Sequence, residues 1–528
     1  MITCIHQLPV DYLNKTPDTP SLIFKDKQIT FSQLALLVEE QANSLQCLDL
    51  ERQQRVAVYL PKQIETVSSF LAISQAGGVF VPINPVLKAP QVGHILNDCN
   101  VKILITSKNR LQSLADTLHH CTDLHTIILV DHEAKDQNIH TQRILNWSDF
   151  LESGKHHDFI PIPSIDTDMA AILYTSGSTG KPKGVVLSHR NLLSGAESVA
   201  TYLQITANDR LLAVLPFSFD YGLNQLMTCL LQGACCVLMD YLLPRDVVTA
   251  LDKYQITGLA AVPPLWAQLA DLNWPEQIDT HLRYMTNSGG KMPKAILEKI
   301  RAHAPTAQFF LMYGLTEAFR STYLPPDQID VRPDSMGKAI PNAEILVVRD
   351  DGSHCAPHEP GELVHRGSLV SLGYWNDPIK TAERFKPAPG QLNGLPLTEI
   401  AVWSGDTVTM DEEGYLYFVG RKDDMIKTSG YRVSPSEIEE VVYATGLAKE
   451  AAAIGIEHPT LGQAIVVVVQ PDSDTEFEAQ SLIESCKKQL PNFMVPAKIE
   501  TLSDLPRNPN GKIDRKQLCQ QYADLFQK

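Results

Sequence analysis

The sequence predicts an α/β fold in two domains of unequal size, and three observations carry that reading. From about residue 31 to 314, short β-branched runs alternate with amphipathic stretches, the pattern of largely parallel sheets covered by helices. Between residues 335 and 419 the runs shorten and are broken by Gly and Pro, which predicts a β-rich subdomain. Alternation then returns over the last hundred or so residues, which predicts a small α+β C-terminal domain. The large N-terminal domain is therefore expected to consist of layered α/β subdomains plus the β-rich one. A chain of 528 residues is in any case too long for one hydrophobic core.

The elements follow in order. Residues 55–60, 102–106, 126–130, 171–174, 211–215, 236–239 and 308–312 are apolar runs of strand length. Residues 64–75, 91–98, 191–202, 223–231, 245–254 and 294–303 repeat apolar side chains at helical spacing. Near the C-terminus, 435–443 and 478–489 read as helices and 464–469 as a strand. The charged segment Arg421-Lys422-Asp423-Asp424 after Gly420 puts the boundary near Asp423. The expected division is a domain of residues 1–420, a joint at 421–424 and a domain of residues 425–528.

Composition narrows the function classes. A formal net charge of -16 argues against nonspecific binding to nucleic acid or anionic lipid. An anionic ligand must then be held by locally placed cations, backbone N–H groups or a metal. The 10 cysteines include no C-x-x-C pair and no metal-ligand spacing, so they read as reduced thiols. The first residues lack a basic stretch followed by an apolar one, and no apolar run approaches the ~20 residues of a spanning helix. The last residues match no address or lipidation signal. A soluble, cytoplasmic enzyme is the expectation.

The most informative stretch is Tyr174-Thr175-Ser176-Gly177-Ser178-Thr179-Gly180-Lys181-Pro182-Lys183-Gly184. Its glycines open backbone angles closed to other residues, its hydroxyls are donors and its lysines are cations, so it can wrap a polyphosphate. A Walker-type loop is excluded, because Pro182 stands where Ser or Thr is needed and Val185-Val186-Leu187 favours a strand over a helix. A flexible Gly/Ser linker shares the composition, though strand flanks on both sides and two lysines speak against it.

This segment resembles the phosphate-loop signature of the adenylate-forming superfamily, which comprises acyl-CoA synthetases, amino-acid adenylation domains and luciferases. The resemblance runs from about residue 30 to 515 and recurs in order at several motifs. Tyr313-Gly314-Leu315-Thr316-Glu317 is similar to the adenine motif; the match implies that Tyr313 stacks on adenine, Thr316 bonds the α-phosphate and Glu317 ligates Mg²⁺. Ser288 and Gly289 stand where the family floors its substrate pocket. Trp403-Ser404-Gly405-Asp406 resembles the ribose motif, with Asp406 accepting from both hydroxyls. Gly420-Arg421 opens the hinge signature; it implies that Arg421 reaches ribose or phosphate and that Asp423 is the pivot.

The resemblance also supplies a mechanism. Pro506-Arg507-Asn508-Pro509-Asn510-Gly511-Lys512 is similar to the superfamily's C-terminal lysine loop. A carboxylate attacking the α-phosphate of ATP meets like charge, and Lys512 is the cation implied to stand between them. The segment from Gly430 through Arg432 to Glu437 resembles the one that lines the thiol channel, with Lys427 assisting phosphate or thiol. The family implies that the small domain is mobile and rotates about Asp423 between acyl-adenylate formation and thioester formation.

The acid is read at Phe219-Asp220, where amino-acid adenylation domains carry an Asp that pairs with the substrate ammonium and many acyl-CoA synthetases carry His. Asp220 is equally suited to capping the helix that follows. The same match lines the acyl pocket with Tyr221, Asn224, Met312, Arg320 and Ser321, a polar wall that favours a small polar or amino acid over a long fatty acid. The expected function is an AMP-forming acid–thiol ligase using ATP and Mg²⁺, with CoA or a phosphopantetheine-bearing carrier protein as acceptor. The alternative is a standalone amino-acid adenylating enzyme that loads a separate carrier. The nearest subgroup is the acyl-CoA ligases associated with exosortase systems, which names no substrate. A luciferase, a noncatalytic nucleotide sensor and a structural protein are weaker fits; the presence of both Glu317 and Lys512 disfavours the sensor.

Overall fold

The computed structural model describes residues 2–526 except 132–136, 140, 141, 156, 158, 176–181, 392, 393, 422–425, 429, 430, 434, 459, 460, 473–476 and 491. At 90, 137–139, 421, 427, 431, 432, 437 and 493 the backbone alone is described. Among the described residues the strands form sheets of eight, fourteen and five strands. In the eight-stranded sheet Val79–Pro82, Arg55–Tyr59, Val101–Thr106 and Thr126–Leu129 run parallel. The antiparallel hairpin Met169–Thr175 with Lys183–Ser188 closes one edge. These strands are rich in Val, Ile and Leu because both faces are covered.

The second sheet begins with a parallel run: Pro20–Phe24, Cys235–Leu238, Arg210–Ala213, Gly258–Ala261, Tyr284–Asn287 and Gln308–Tyr313. The expected β-rich subdomain is continuous with it. Thr322–Leu324 and Ser335–Ala339 extend the ladder antiparallel and lead into Leu416–Arg421, Ile400–Met410, Gly361–Gly367 and Ala343–Val348. Gly337 makes this junction possible: at φ +87°, a β-carbon there would fall 1.8 Å from the carbonyl oxygen of Tyr323.

Helices join the two layers. Phe70, on the helix Ile64–Gln75, stacks on Phe80 at 4.7 Å between centroids and meets Phe217 edge-on at 6.2 Å. One continuous apolar core results, and each fully buried aromatic in it is worth ~1.5–3 kcal/mol. The small C-terminal domain has its own sheet, in which Gly462–Pro471 pairs with Ala448–His458, Ile426–Thr428 and Lys498–Thr501. It also has its own core around Ile438, Val467 and Leu482.

The helix expected over 223–231 spans Asp220–Gln232, three residues longer at its start. Phe219 is extended and serves as the cap residue, so Asp220 lies in the first turn, where a carboxylate faces the positive end of the helix. The strands Val79–Pro82, Gly258–Ala261, Tyr284–Asn287 and Ala448–His458 were not expected from the sequence, because they are short or alanine-rich. Among the described residues no helix is long and apolar enough to cross a membrane.

Candidate active site

Arg210–Ala213, Tyr284–Asn287 and Gln308–Tyr313 are parallel strands, and the segments that leave their C-terminal ends carry Asp220, Ser288 and Thr316. Open parallel sheets bind ligands at these ends. Across the first sheet's edge hairpin, Thr175 pairs with Lys183 and Tyr174 with Gly184, so both shoulders of the expected phosphate loop stand side by side. The rest of that loop, Ser176, Gly177, Ser178, Thr179, Gly180 and Lys181, lies outside the described residues. Thr175 Oγ1 is buried with no hydrogen-bond partner among the described residues, as a group awaiting an anionic ligand would be.

Glu317 sits in a single 3₁₀ turn, Thr316–Ala318. Its Oε1 accepts from Lys183 Nζ at 3.0 Å and from Tyr374 OH at 2.5 Å, and Lys183 Nζ also reaches Tyr374 OH at 2.7 Å. Burial acts to raise the Glu317 carboxyl, but the Lys183 ammonium and the Tyr374 hydroxyl outweigh it and hold the group below its ordinary value. Burial and the same carboxylate push the Tyr374 phenol up, so it remains a neutral donor. One anionic carboxylate beside the phosphate loop fits Mg²⁺, which takes one or two protein carboxylates and fills its remaining positions with phosphate and water oxygens. Among the described residues no cluster of three or more metal-ligating side chains competes for that role.

The chain then bends sharply. Phe319 has φ +56° and ψ -48°, a conformation rare for a bulky residue, and its buried ring lies where a β-carbon on Gly195 would come within 2.5 Å. On the opposite flank, Tyr313 OH donates to Asp406 Oδ2. Asp406 is almost wholly buried, its N–H donates to Ser404 Oγ at 3.0 Å, and Arg421 stands opposite it in the strand register. The expected adenine and ribose contacts are thus adjacent. The side chains of Arg421, Lys427, Arg432 and Glu437, and all of Asp423 and Gly430, lie outside the described residues.

The residues expected at the acyl pocket divide into two groups. Met312 Sδ accepts from Tyr202 OH at 2.9 Å, Tyr221 OH bonds Thr286 Oγ1 at 2.5 Å, and Ser321 Oγ pairs with His365 Nδ1 at 2.9 Å. Burial lowers His365 to about 3, so its ring is neutral. Asp220, Asn224 and Arg320 are also buried, yet Asp220 Oδ1, Asn224 Nδ2 and the Nε and Nη2 of Arg320 have no hydrogen-bond partner among the described residues. The cap position of the Asp220–Gln232 helix is Phe219, which has no polar side-chain atom, and the Asp220 carboxylate accepts from the N–H of Tyr221 in the first turn. Burial, the largest effect, raises the Asp220 carboxyl, and Arg320 and Lys512 act against it.

Lys512 rides on a tight hairpin. Asn508 N donates to Lys512 O at 2.8 Å, Asn508 Oδ1 accepts from the N–H groups of Asn510 and Lys512 at 3.1 Å each, and Gly511 turns the chain at φ +78°. Arg507 ties the base of the loop to Glu450 and, through Nη1, to Gly511 O at 2.6 Å. The loop meets the large domain where Asn84 Nδ2 donates to Pro509 O at 2.9 Å. A β-carbon placed on Gly289, at φ +81°, would sit 3.6 Å from Phe219 Cζ and 3.9 Å from Lys512 Cε. Lys512 therefore reaches from the small domain to the Ser288–Gly289 turn and the start of the Asp220 helix. Beside it a cleft of about 910 Å³ lies between the domains, lined by Asn84, Phe219, Val262, Asn508 and Gly511.

Two models of known families match the chain: "AMP-binding enzyme" over residues 11–375 and "AMP-binding enzyme C-terminal domain" over residues 437–512. The chain belongs to the AMP-binding enzymes. It is 30% identical over 533 residues to a long-chain-fatty-acid–CoA ligase of Escherichia coli O157:H7, with 95% of this chain and 91% of the ligase covered. It is 29% identical over 518 residues to a linear gramicidin synthase of Brevibacillus parabrevis; that match covers 98% of this chain but 10% of the synthase. Among solved structures, ATP-bound MatB from Rhodopseudomonas palustris superposes with a TM-score of 0.87 at 25% identity, covering 100% of both chains. This AMP-binding enzyme is accordingly a ligase of the class that activates a carboxylic acid at the expense of ATP and passes it to a thiol. Sequence reasoning missed Tyr374, Asn84 and His365. Only Tyr374 left a trace, as an aromatic pair with Trp375 directly after Gly373.

Proposed function

We propose that this enzyme condenses a small polar carboxylic acid with ATP to an acyl adenylate, releasing pyrophosphate, and then transfers the acyl group to the thiol of CoA, releasing AMP. The observation that carries the reading is the reach of Lys512 across the domain boundary to Gly289, next to Phe219 and Asp220. In that position its ammonium stands between the attacking carboxylate and the α-phosphate and lowers their repulsion. Thr175 and Lys183 flank the triphosphate, Thr316 bonds the α-phosphate, and Tyr313 and Asp406 hold adenosine. Glu317, kept ionised by Lys183 and Tyr374, would hold Mg²⁺, whose chemistry when bound is to neutralise phosphate charge. The joint at 421–424, with Asp423 as pivot, lets the small domain exchange Lys512 for the thiol channel. CoA as acceptor is supported by the long-chain-fatty-acid–CoA ligase, most of whose length the chain matches.

A second reading, loading of a carrier protein, is favoured by the buried Asp220 with its unpartnered oxygen and by the likeness to the gramicidin synthase. Lys512→Ala separates the half-reactions. The variant is expected to lose ATP–pyrophosphate exchange by about a hundredfold or more while still forming thioester from supplied acyl adenylate. An equal fall in both steps by a folded variant removes the assigned role of Lys512.

A further inference from the structure

Arg320 is 2% exposed, Asp220 4% and Asn224 2%, and all three carry polar atoms without a hydrogen-bond partner among the described residues. Asp220 and Asn224 lie one turn apart on the same face of the Asp220–Gln232 helix. The Arg320 guanidinium lies 4.6 Å above the ring of Tyr221, the residue between them in that helix turn, and Asp220 is within the electrostatic reach of both Arg320 and Lys512. Asp220 therefore stands between the Arg320 guanidinium and the region to which Lys512 delivers its ammonium, with Asn224 one turn further along the helix. No ion pair within 4.0 Å joins Arg320 to Asp220, so the two charges do not satisfy each other.

Folding leaves such groups unmet at a considerable cost, since a buried donor or acceptor without a partner has lost its hydration for nothing, and a charged one has lost more. The ring of Tyr221 offsets only part of that through its π-face. The unmet atoms specify a complementary ligand. Two guanidinium N–H groups on a planar fork match a carboxylate, the Asn224 amide N–H adds a donor to it, and the Asp220 oxygen calls for a cation or strong donor. The carboxylate being activated is taken by Lys512. A hydrocarbon tail would leave every one of these groups unsatisfied.

Resting on the ligase reading above, we propose that the acid activated here is a dicarboxylic amino acid. Asp220 holds its ammonium, Arg320 and Asn224 hold its second carboxylate, and the first carboxylate faces Lys512.

ATP–pyrophosphate exchange with the full chain tests this on a panel of aspartate, glutamate, asparagine, glutamine, succinate, glutarate and octanoate. One of the two acidic amino acids is expected to give the highest kcat/KM. Its amide and its deaminated analogue should each fall by about a hundredfold or more, since each leaves a buried charge unpaired. Arg320→Met should raise KM for the acidic amino acid, narrow its lead over the amide, and keep or raise the thermal midpoint. If that variant does not fold, the wild-type panel decides alone. Preference for octanoate, or equal rates with acid and amide, overturns the proposal and leaves the ligase reading standing. Absence of exchange with every acid, from protein that binds ATP, overturns both.

Discussion

At the level of single residues, the site is defined by which polar atoms are satisfied. Glu317, Lys183 and Tyr374 complete one another, so the carboxylate is ionised and held before any nucleotide arrives. The sequence exposed Glu317 and Lys183 because each sits in a dense local motif. It hid Tyr374, which reaches them from a loop 57 residues beyond Glu317. The same holds for Asp220: its residue type was legible as an ammonium ligand or a cap, but only the fold shows that its carboxylate meets the N–H of Tyr221 in the first helical turn and still leaves Oδ1 without a partner among the described residues.

Burial also sets a pH response. His189 is lowered from 6.5 to about 4, by burial first and then by its neighbour His6, and His365 to about 3 by burial. As pH falls below 6.5 the unfolded chain takes up these protons while the folded chain does not. Stability is therefore intact above pH 6.5 and declines by about 1.4 kcal/mol per pH unit for each histidine until the folded values are reached. Thermal unfolding at pH 7 and pH 5 should show a clear drop in midpoint, and His365→Gln should make that drop smaller. A midpoint indifferent to pH across this range contradicts the assignment.

Among the elements, the lysine hairpin bears most directly on catalysis. Its Pro and Gly content announced a tight loop, and the structure adds Asn508, whose side chain gathers two N–H groups, and Arg507, which binds the loop's base. These contacts were illegible because Glu450 lies on the alanine-rich strand Ala448–His458, which the sequence did not reveal. Gly511→Ala forces a side chain into positive φ at a cost of about 1 kcal/mol, with no neighbour within 4 Å to obstruct it sterically. The expected result is slower adenylate formation at nearly unchanged ATP affinity. If KM for ATP rose while kcat held, the loop would be a nucleotide contact and not a carrier for Lys512.

Across the whole molecule, two polar contacts between the domains help to hold the pose seen here. Asn84 bonds the Pro509 carbonyl, and Lys291 of the large domain lies 2.8 Å from Glu440 of the small one. Alternation of strands and helices predicted both domains, yet neither contact was legible, because docking surfaces depend on the juxtaposition of distant segments and leave no periodic signal. A single hydrogen bond contributes about 1 kcal/mol. Asn84→Ala should therefore reduce the population of this pose roughly fivefold, slowing adenylate formation while thioester formation from supplied adenylate is preserved. Equal loss in both half-reactions would make Asn84 a general structural residue.

The bend at Phe319 has a further consequence. It lies between Glu317 on the nucleotide side and Arg320 on the acid side, and its ring is wedged against Gly195. Because main chain, not a pliable side chain, separates the two, their spacing works as a fixed gauge. Under the substrate assignment made above, the enzyme would then reject acids by length as firmly as by charge, and lengthening the accepted acid would require rebuilding this turn rather than exchanging one residue.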